Sequence, residues 1–303
     1  MSIIHKYNIY KSLKSRKKET GELYKVIVKE NIKSRDFILN TFFLGIESYR
    51  NGLDAAAIFY FGLSVDLGLR VKLKEHNKMG ALPSKFGGLI ERLKNTSINN
   101  ILSIDNKDET IQKFSDVEDL RNIYIHPDNF LYYLYKQSEA DLLLYEPLAN
   151  ENPTKDKTIT KIDNYFKEWY TERKAIYDEL SPYKDLALEN VSLTTKNNEF
   201  IQKRISKFNS FITYKYDIIH RPLNEKNRIK IWEKAEHERR LAKTLSNGDP
   251  LGLYGYTRFD AREQMVWCFE LLQSLNYFKK KYLLLDTHIF DEIDEIKVIQ
   301  LDR

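Results

Sequence analysis

Asp119-Leu120-Arg121-Asn122-Ile123-Tyr124-Ile125-His126-Pro127 closes an apolar helical pattern with an arginine, an amide, a histidine and a proline. An arginine grips phosphate oxygens through two parallel hydrogen bonds, and a histidine exchanges protons near neutral pH. On an unbroken α-helix, side chains five residues apart diverge by about 140° around the axis. Pro127 lifts that restriction. It disfavours the α conformation at the residue before it, so the helix is expected to end at His126 and the imidazole to leave the helical path. The stretch therefore predicts a helix C-terminus that offers a guanidinium beside a titratable ring.

Working back from it, Glu109 to Ile125 reads as a helix with Ile111, Phe114, Val117, Leu120 and Ile125 inward. Phe86 to Leu93 gives a short amphipathic helix, separated from the last by a polar loop at Asn95 to Asn100. Residues 55–75 are the strongest helical candidate. There Ala56, Phe59, Leu63, Leu67, Val71 and Lys74 trace one face, and Ala55, Ile58, Phe61 and Val65 widen it, before Gly80 and Pro83 interrupt the run. From Phe37 the pattern is also helical, with Ile38, Phe42, Ile46 and Tyr49 on one side. Asn51-Gly52 is expected to break that helix and Asp54 to cap the next. Residues 1–36 are lysine-rich and weakly patterned, a basic N-terminal extension in which Tyr24 to Val28 suits a strand or a helix entry. The run Lys14 to Lys18 fits a solvated arm or a contact to a nucleic-acid backbone.

Downstream, Pro147 to Lys157 is polar and unpatterned, as a linker would be. Residues 161–181 suggest a helix with Ile162, Tyr165, Phe166, Trp169 and Ile176 inward. Residues 198–219 suggest another, ended by His220-Arg221-Pro222, and 225–245 form a charge-dense, salt-bridged stretch. Asn247 to Pro250 is a stop. A final helix runs from Phe259 to Lys281, with Asp260, Arg262 and Glu263 as its polar first turn, Met265, Val266, Phe269, Leu272 and Leu275 apolar, and Trp267 and Cys268 as packing residues. The fold class is all-α. The domains expected are an extension at 1–36, a helical domain at 37–148, a linker at 149–160 and a second helical domain of unknown role at 161–303.

Composition narrows the function. The chain has 303 residues, 42 % hydrophobic and 31 % charged, with a net charge of +5. That balance permits a nucleic-acid partner without demanding one. Cys268 is the only cysteine, which excludes a disulfide framework and a thiolate zinc site. No apolar run reaches the roughly 18–20 residues that span a bilayer, and Met1 to Lys18 lacks the apolar core of a secretory signal. A cytoplasmic protein with no membrane partner is expected. His5, His76 and His126 show no metal-ligand spacing, and there is no glycine-rich phosphate loop, so no metal and no cofactor are expected.

Arg121-Asn122-x-x-x-His126 resembles the Arg-x4-6-His signature of the HEPN superfamily, in which a polar residue commonly follows the arginine. The order of two long helices, a short one and a helix ending in the Arg/His pair is also similar to that family over residues about 38–146. Leu63-Ser64-Val65-Asp66-Leu67-Gly68-Leu69-Arg70 resembles its first long core segment, where an acidic residue, more often glutamate, occupies the place of Asp66. The resemblance implies an N-terminal HEPN-like four-helix bundle and a metal-independent endoribonuclease of toxin or antiviral defence type. It implies Arg121, Asn122 and His126 as catalytic residues, RNA as substrate and 2′,3′-cyclic phosphate ends as products. It also implies a homodimer that brings two histidines into one cleft, and leaves room for an antitoxin or regulatory partner.

The chemistry suits those residue types. A base takes the 2′-hydroxyl proton, a cation steadies the charge on the phosphoryl oxygens, and an acid protonates the leaving 5′-oxygen. Unperturbed histidine titrates near ~6.5 and serves either proton role. Structural roles account for the same residues. His126 can bond free carbonyls at a helix end, and Arg121 can pair with Glu118. Arg70 to His76 also fits the spacing, but lacks the polar residue after the arginine and reads as an accident. The competing function is a non-catalytic HEPN-like module that binds RNA or a nucleotide, or that dimerises.

Overall fold

A computed structural model describes residues 13–34, 36–76, 81–95, 107–150, 167, 170–171, 174–175, 177–185, 198–206, 254–286 and 296–301. The chain is all-α, 83 % helical over these residues with one two-stranded sheet. The labelled helices are α1 (Gly21–Ser34), α2 (Phe37–Arg50), α3 (Asp54–His76), α4 (Phe86–Lys94), α5 (Lys107–Ile125), α6 (Pro127–Asn150) and α7 (Tyr254–Ser274). The strands are β1 (Lys281–Asp286) and β2 (Ile296–Leu301). Two compact units share the chain: Leu13–Ile125 with Thr257–Arg303, and Met1–Ser12 with His126–Tyr256. This grouping differs from the serial order expected, because Thr257–Arg303 belongs with the early helices.

In the first unit, α2 starts where the Asp36 carboxylate accepts the N–H groups of Ile38 at 2.7 Å and Leu39 at 3.3 Å, satisfying donors that a helix start leaves unpaired. It stops in a Schellman turn. Gly52, at φ 78°, donates to the Tyr49 carbonyl and Leu53 to that of Ser48. α3 then begins at Asp54, whose carboxylate is engaged by Arg16 and Thr257 instead of serving as an N-cap. α7 ends by the same device as α2, with Asn276 at φ 59° donating to Gln273 and Tyr277 to Leu272.

The core lies where α2, α3, α5 and α7 meet. Ile38, Phe42, Ile46 and Tyr49 of α2 are all buried, as their spacing predicts. Phe42 packs on Phe61 with ring centroids 5.1 Å apart and on Phe269 at 6.3 Å, linking three helices. Gly45 lets α2 and α3 approach, since a Cβ there would sit 2.5 Å from the Phe61 ring. Ile111, Phe114, Val117 and Leu120 of α5 are buried, but Ile125 is exposed at the helix end.

The buried face of α3 is only partly the one expected: Ile58, Phe61 and Val65 of the widened stripe are buried, but the central line is not. Ala57, Ile58, Phe61, Val65, Leu69 and Leu73 face the core, whereas Ala56, Leu63 and Leu67 are half-buried and Phe59 and Val71 are 37 % and 41 % exposed. α3 is apolar on nearly all sides, so composition alone did not distinguish its inner stripe.

Residues 13–34 are helical and carry buried Leu23 and Ile27, so this part of the expected extension belongs to the bundle. The final helix stops at Ser274 rather than near Lys281, and the chain turns into the antiparallel pair β1–β2, registered with Leu283 opposite Ile299. Side chains occupy backbone groups at its outer edges. Gln273 bonds both the N–H and the carbonyl of Tyr282, and the Glu22 carboxylate accepts the Val298 N–H.

In the second unit, α6 continues through Pro147 to Asn150, two residues into the expected linker. A proline removes one helical hydrogen bond without barring the residues after it from the α conformation. Residues 198–206 are helical with Phe200, Ile201 and Ile205 buried. The remainder of the helix expected at 198–219, His220-Arg221-Pro222 and the charged stretch 225–245 lie outside the described residues.

Candidate functional site

Arg121 sits in the last turns of α5, and its seat is made by α3. Gly62 provides the room: a Cβ there would lie 2.8 Å from Arg121 Cδ. One turn along α3, Asp66 Oδ2 accepts a hydrogen bond from Arg121 Nη1 at 3.1 Å, with the two side chains 9 % and 18 % exposed. Asp66 is shared. Its Oδ1 accepts from Arg70 Nε at 2.7 Å. Arg70 is otherwise committed to the chain, donating to the carbonyls of Pro83 at 2.8 Å and Ser84 at 2.7 Å. Arg121 is less fully used. Among the described residues the bond to Asp66 is the one hydrogen bond it makes, and its buried Nε has no partner.

The partner of Arg121 is thus Asp66 across the helix interface, not Glu118 on its own helix. A cross-helix carboxylate in a mostly buried setting holds the guanidinium better than an exposed pair one turn away. Asn122 follows Arg121 and is half-buried, about 100° further round the helix. Arg70 of the second spacing match is tied to the loop after α3, and His76 is exposed at the end of that helix.

His126 is the first residue of the other unit. It forms a bend between Ile125 and Pro127, and its side chain is exposed. Its carbonyl accepts the Phe130 N–H at 3.0 Å, which makes it the N-cap residue of α6, with Pro127 at the first helical position where a missing N–H costs nothing. The chain therefore breaks the helix at His126, as the proline predicts, but immediately starts another. Among the described residues its imidazole has no hydrogen-bond partner, so the carbonyl-bonding role considered for it is not observed.

A second polar cluster lies in the same unit as Arg121. Arg16 is ion-paired to Asp54 through Nη1 and Nη2, and Nη1 also donates to the Tyr49 carbonyl at 3.2 Å. Glu19 accepts from Tyr49 Oη at 2.7 Å and pairs with Arg258 at 3.0 Å and Arg262 at 2.5 Å. Burial raises the Glu19 pKa, but the charges of Arg258 and Arg262 and the Tyr49 hydroxyl outweigh it and hold the group below its usual range. For Tyr49, burial and then the Glu19 charge push the phenol up. Cys268 is fully buried, and burial alone raises its thiol, so it is an inert packing residue.

Sequence reasoning missed Asp260 and Arg262. The sequence reads both as part of a polar first turn, yet the helix starts at Tyr254 and both are buried, Asp260 accepting from Tyr124 Oη at 2.7 Å and Arg262 pairing with Glu19. The available signal was their place on the apolar face: Asp260 and Gln264 share helical spacing with Cys268 and Leu272, all buried.

Among the described residues no three His, Cys, Asp or Glu side chains are grouped to hold a metal ion, and no described helix is long and apolar enough to cross a membrane. No protein-family model, curated protein or solved structure matches the chain.

Proposed function

We propose that the protein is a metal-independent endoribonuclease of HEPN type, in which Arg121 holds the scissile phosphate, His126 moves protons and Asn122 supports them as a neutral donor. The observation that carries this reading is the state of Arg121. It is seated against Gly62 and fixed through Nη1 by Asp66, and its side chain stays 18 % exposed with no further hydrogen bond among the described residues. A guanidinium anchored on one edge and open on another is suited to phosphate oxygens. The exposed His126 is compatible with exchange of protons with a bound substrate.

In the reaction, the 2′-hydroxyl loses its proton to a base and its oxygen attacks the adjacent phosphorus. The bond to the 5′-oxygen breaks, and that oxygen takes a proton, leaving a 2′,3′-cyclic phosphate and a 5′-hydroxyl. One chain supplies one histidine for two proton transfers, so the reading includes a homodimer. The outward stripe of α3, Ala56, Phe59, Leu63, Leu67 and Val71, supports it as an apolar surface that a symmetric partner could cover. A toxin or antiviral setting, with an antitoxin or other regulator, belongs to the same proposal through the family resemblance.

The Asp66–Arg121 pair also favours a second reading. A cation already matched by a carboxylate can be purely structural, or can recognise a phosphate without cleaving it, as in a non-catalytic RNA- or nucleotide-binding module. Labelled total RNA incubated in EDTA with wild type and with His126→Ala separates the two. Cleavage by wild type alone, leaving cyclic-phosphate ends, is expected. Equal cleavage by both proteins would falsify the assignment of His126, and RNA bound but uncut by both would favour the binding module.

A further inference from the structure

α7 holds α5 at three heights. Glu270 pairs with Lys113 at 2.9 Å, Gln264 Nε2 donates to the Val117 carbonyl at 3.1 Å, and Tyr124 Oη donates to Asp260 Oδ2 at 2.7 Å. Partners ascend along α5 as they descend along α7, so the two helices run in opposite senses. Two of these contacts bracket Arg121. The Val117 carbonyl is the one that accepts the N–H of residue 121 in an α-helix, and Tyr124 lies three residues beyond Arg121, on nearly the same side.

The last turn of α5 needs such a hold. Its final carbonyls have no intrahelical donors, no basic side chain lies in the turn to bond them, and Pro127 just beyond has no N–H to offer. Ile123 in that turn is buried but Ile125 beyond it is exposed, so apolar burial does not hold the final residue. Asp260, by contrast, is fully buried in α7. A hydrogen bond from a partly buried phenol to a charged acceptor is among the stronger neutral–ion contacts.

We propose that Asp260 is a positioning residue for the phosphate-holding arginine: through Tyr124 it fixes the last turn of α5, so that the Arg121 guanidinium stays between Gly62 and Asp66. This rests on the ribonuclease reading for its functional consequence, though not for its geometry. It also gives Thr257–Arg303 a role, that of completing the site-bearing unit.

Tyr124→Phe in the full chain keeps the ring and removes the hydroxyl. Lys113→Met breaks an α7 contact far along α5 from Arg121 and serves as the control. Tyr124→Phe is expected to lower kcat for RNA cleavage roughly tenfold to a hundredfold with KM little changed, as a small misplacement of a catalytic group does. Asp260→Ala is expected to match it, the double variant to be no worse than either single, and Lys113→Met to leave kcat unchanged. Wild-type kcat in Tyr124→Phe overturns the proposal. So does an equal loss in Lys113→Met, which would make the contact merely structural. If the wild type does not cut RNA, the ribonuclease reading fails and the geometry is judged by the NMR signal of Arg121 Nε–H. A signal displaced or broadened in Tyr124→Phe but not in Lys113→Met sustains the positioning role, and an unmoved signal ends it.

Discussion

Two clusters of arginine and carboxylate lie in one compact unit, and they differ in how far they are sealed from solvent and in how many partners each side chain takes. In the cluster of Arg16, Glu19, Tyr49, Asp54, Arg258 and Arg262, each carboxylate accepts from at least two partners, and Arg16, Glu19 and Tyr49 are sealed from solvent. In the cluster of Asp66, Arg70 and Arg121, Arg70 bonds Asp66 and two loop carbonyls, while Arg121 makes one hydrogen bond, to Asp66, among the described residues. Removing one member of a buried pair leaves an uncompensated charge. Removing a cation that retains unused donors at a partly open edge costs far less stability and far more recognition. The first cluster therefore reads as architecture, joining residues 13–20, the α2–α3 turn and α7. The second holds the arginine of the proposed site.

The largest effect expected is on the architectural side. Arg16→Ala strands the Asp54 carboxylate in the interior and should destabilise the unit by about 3–5 kcal/mol, seen as a lower urea midpoint. Arg121→Ala should cost well under half as much. Similar losses for the two variants would erase the distinction between the clusters.

The same contrast extends to pH. The folded-state pKa of Glu19 is depressed, so its ion pairs stabilise the fold fully above the unfolded carboxylate value of about 4.3. That contribution is lost as the pH falls through the folded value. The urea midpoint of wild type should accordingly drop in acid, while Glu19→Gln starts lower at neutral pH and changes less, so that the two curves converge. Curves that stay parallel between pH 7 and pH 3 would remove Glu19 from the acid response.

Much of this was legible in the sequence where one signal governed one outcome. The three- and four-residue spacing of Ile38, Phe42, Ile46 and Tyr49 identified a buried face, with Asn40 and Glu47 breaking the apolar pattern on the far side. Pro127 placed the end of α5 correctly through a purely local steric rule. α3 failed for the converse reason. With apolar residues nearly all round, its inner face is chosen by its neighbours, through the Phe61 ring at Gly45 and the Arg121 side chain at Gly62. Asp260 and Arg262 read as a polar first turn because their partners, Tyr124 and Glu19, are distant in sequence. The strand pair escaped notice since Tyr282 to Leu285 is a short apolar run that a helix could also use, and Asn276, in the left-handed region, is where the helix stops. Of the site, the resemblance suggested Arg121, Asn122, His126 and Asp66. That Asp66 is the carboxylate facing Arg121 depends on helix packing that no local spacing encodes.

The smallest change in stability should give the sharpest separation of the two clusters. Gly62→Ala adds one methyl to α3 at the point where Arg121 crosses it. The new Cβ would stand 2.8 Å from Arg121 Cδ and 3.3 Å from its Cβ and Cγ, so the arginine side chain must move. Alanine favours a helix interior over glycine by up to about 1 kcal/mol, which offsets part of the strain. Net stability should therefore stay within about 1 kcal/mol of wild type, while the guanidinium is pushed off Asp66 and away from its seat. RNA cleavage, or phosphate-dependent RNA binding if the protein does not cut, should fall at least tenfold with the urea midpoint almost unmoved. A variant that keeps full activity would show that the close fit of Arg121 on Gly62 is packing alone. One that unfolds would place Arg121 in the same structural class as Arg16.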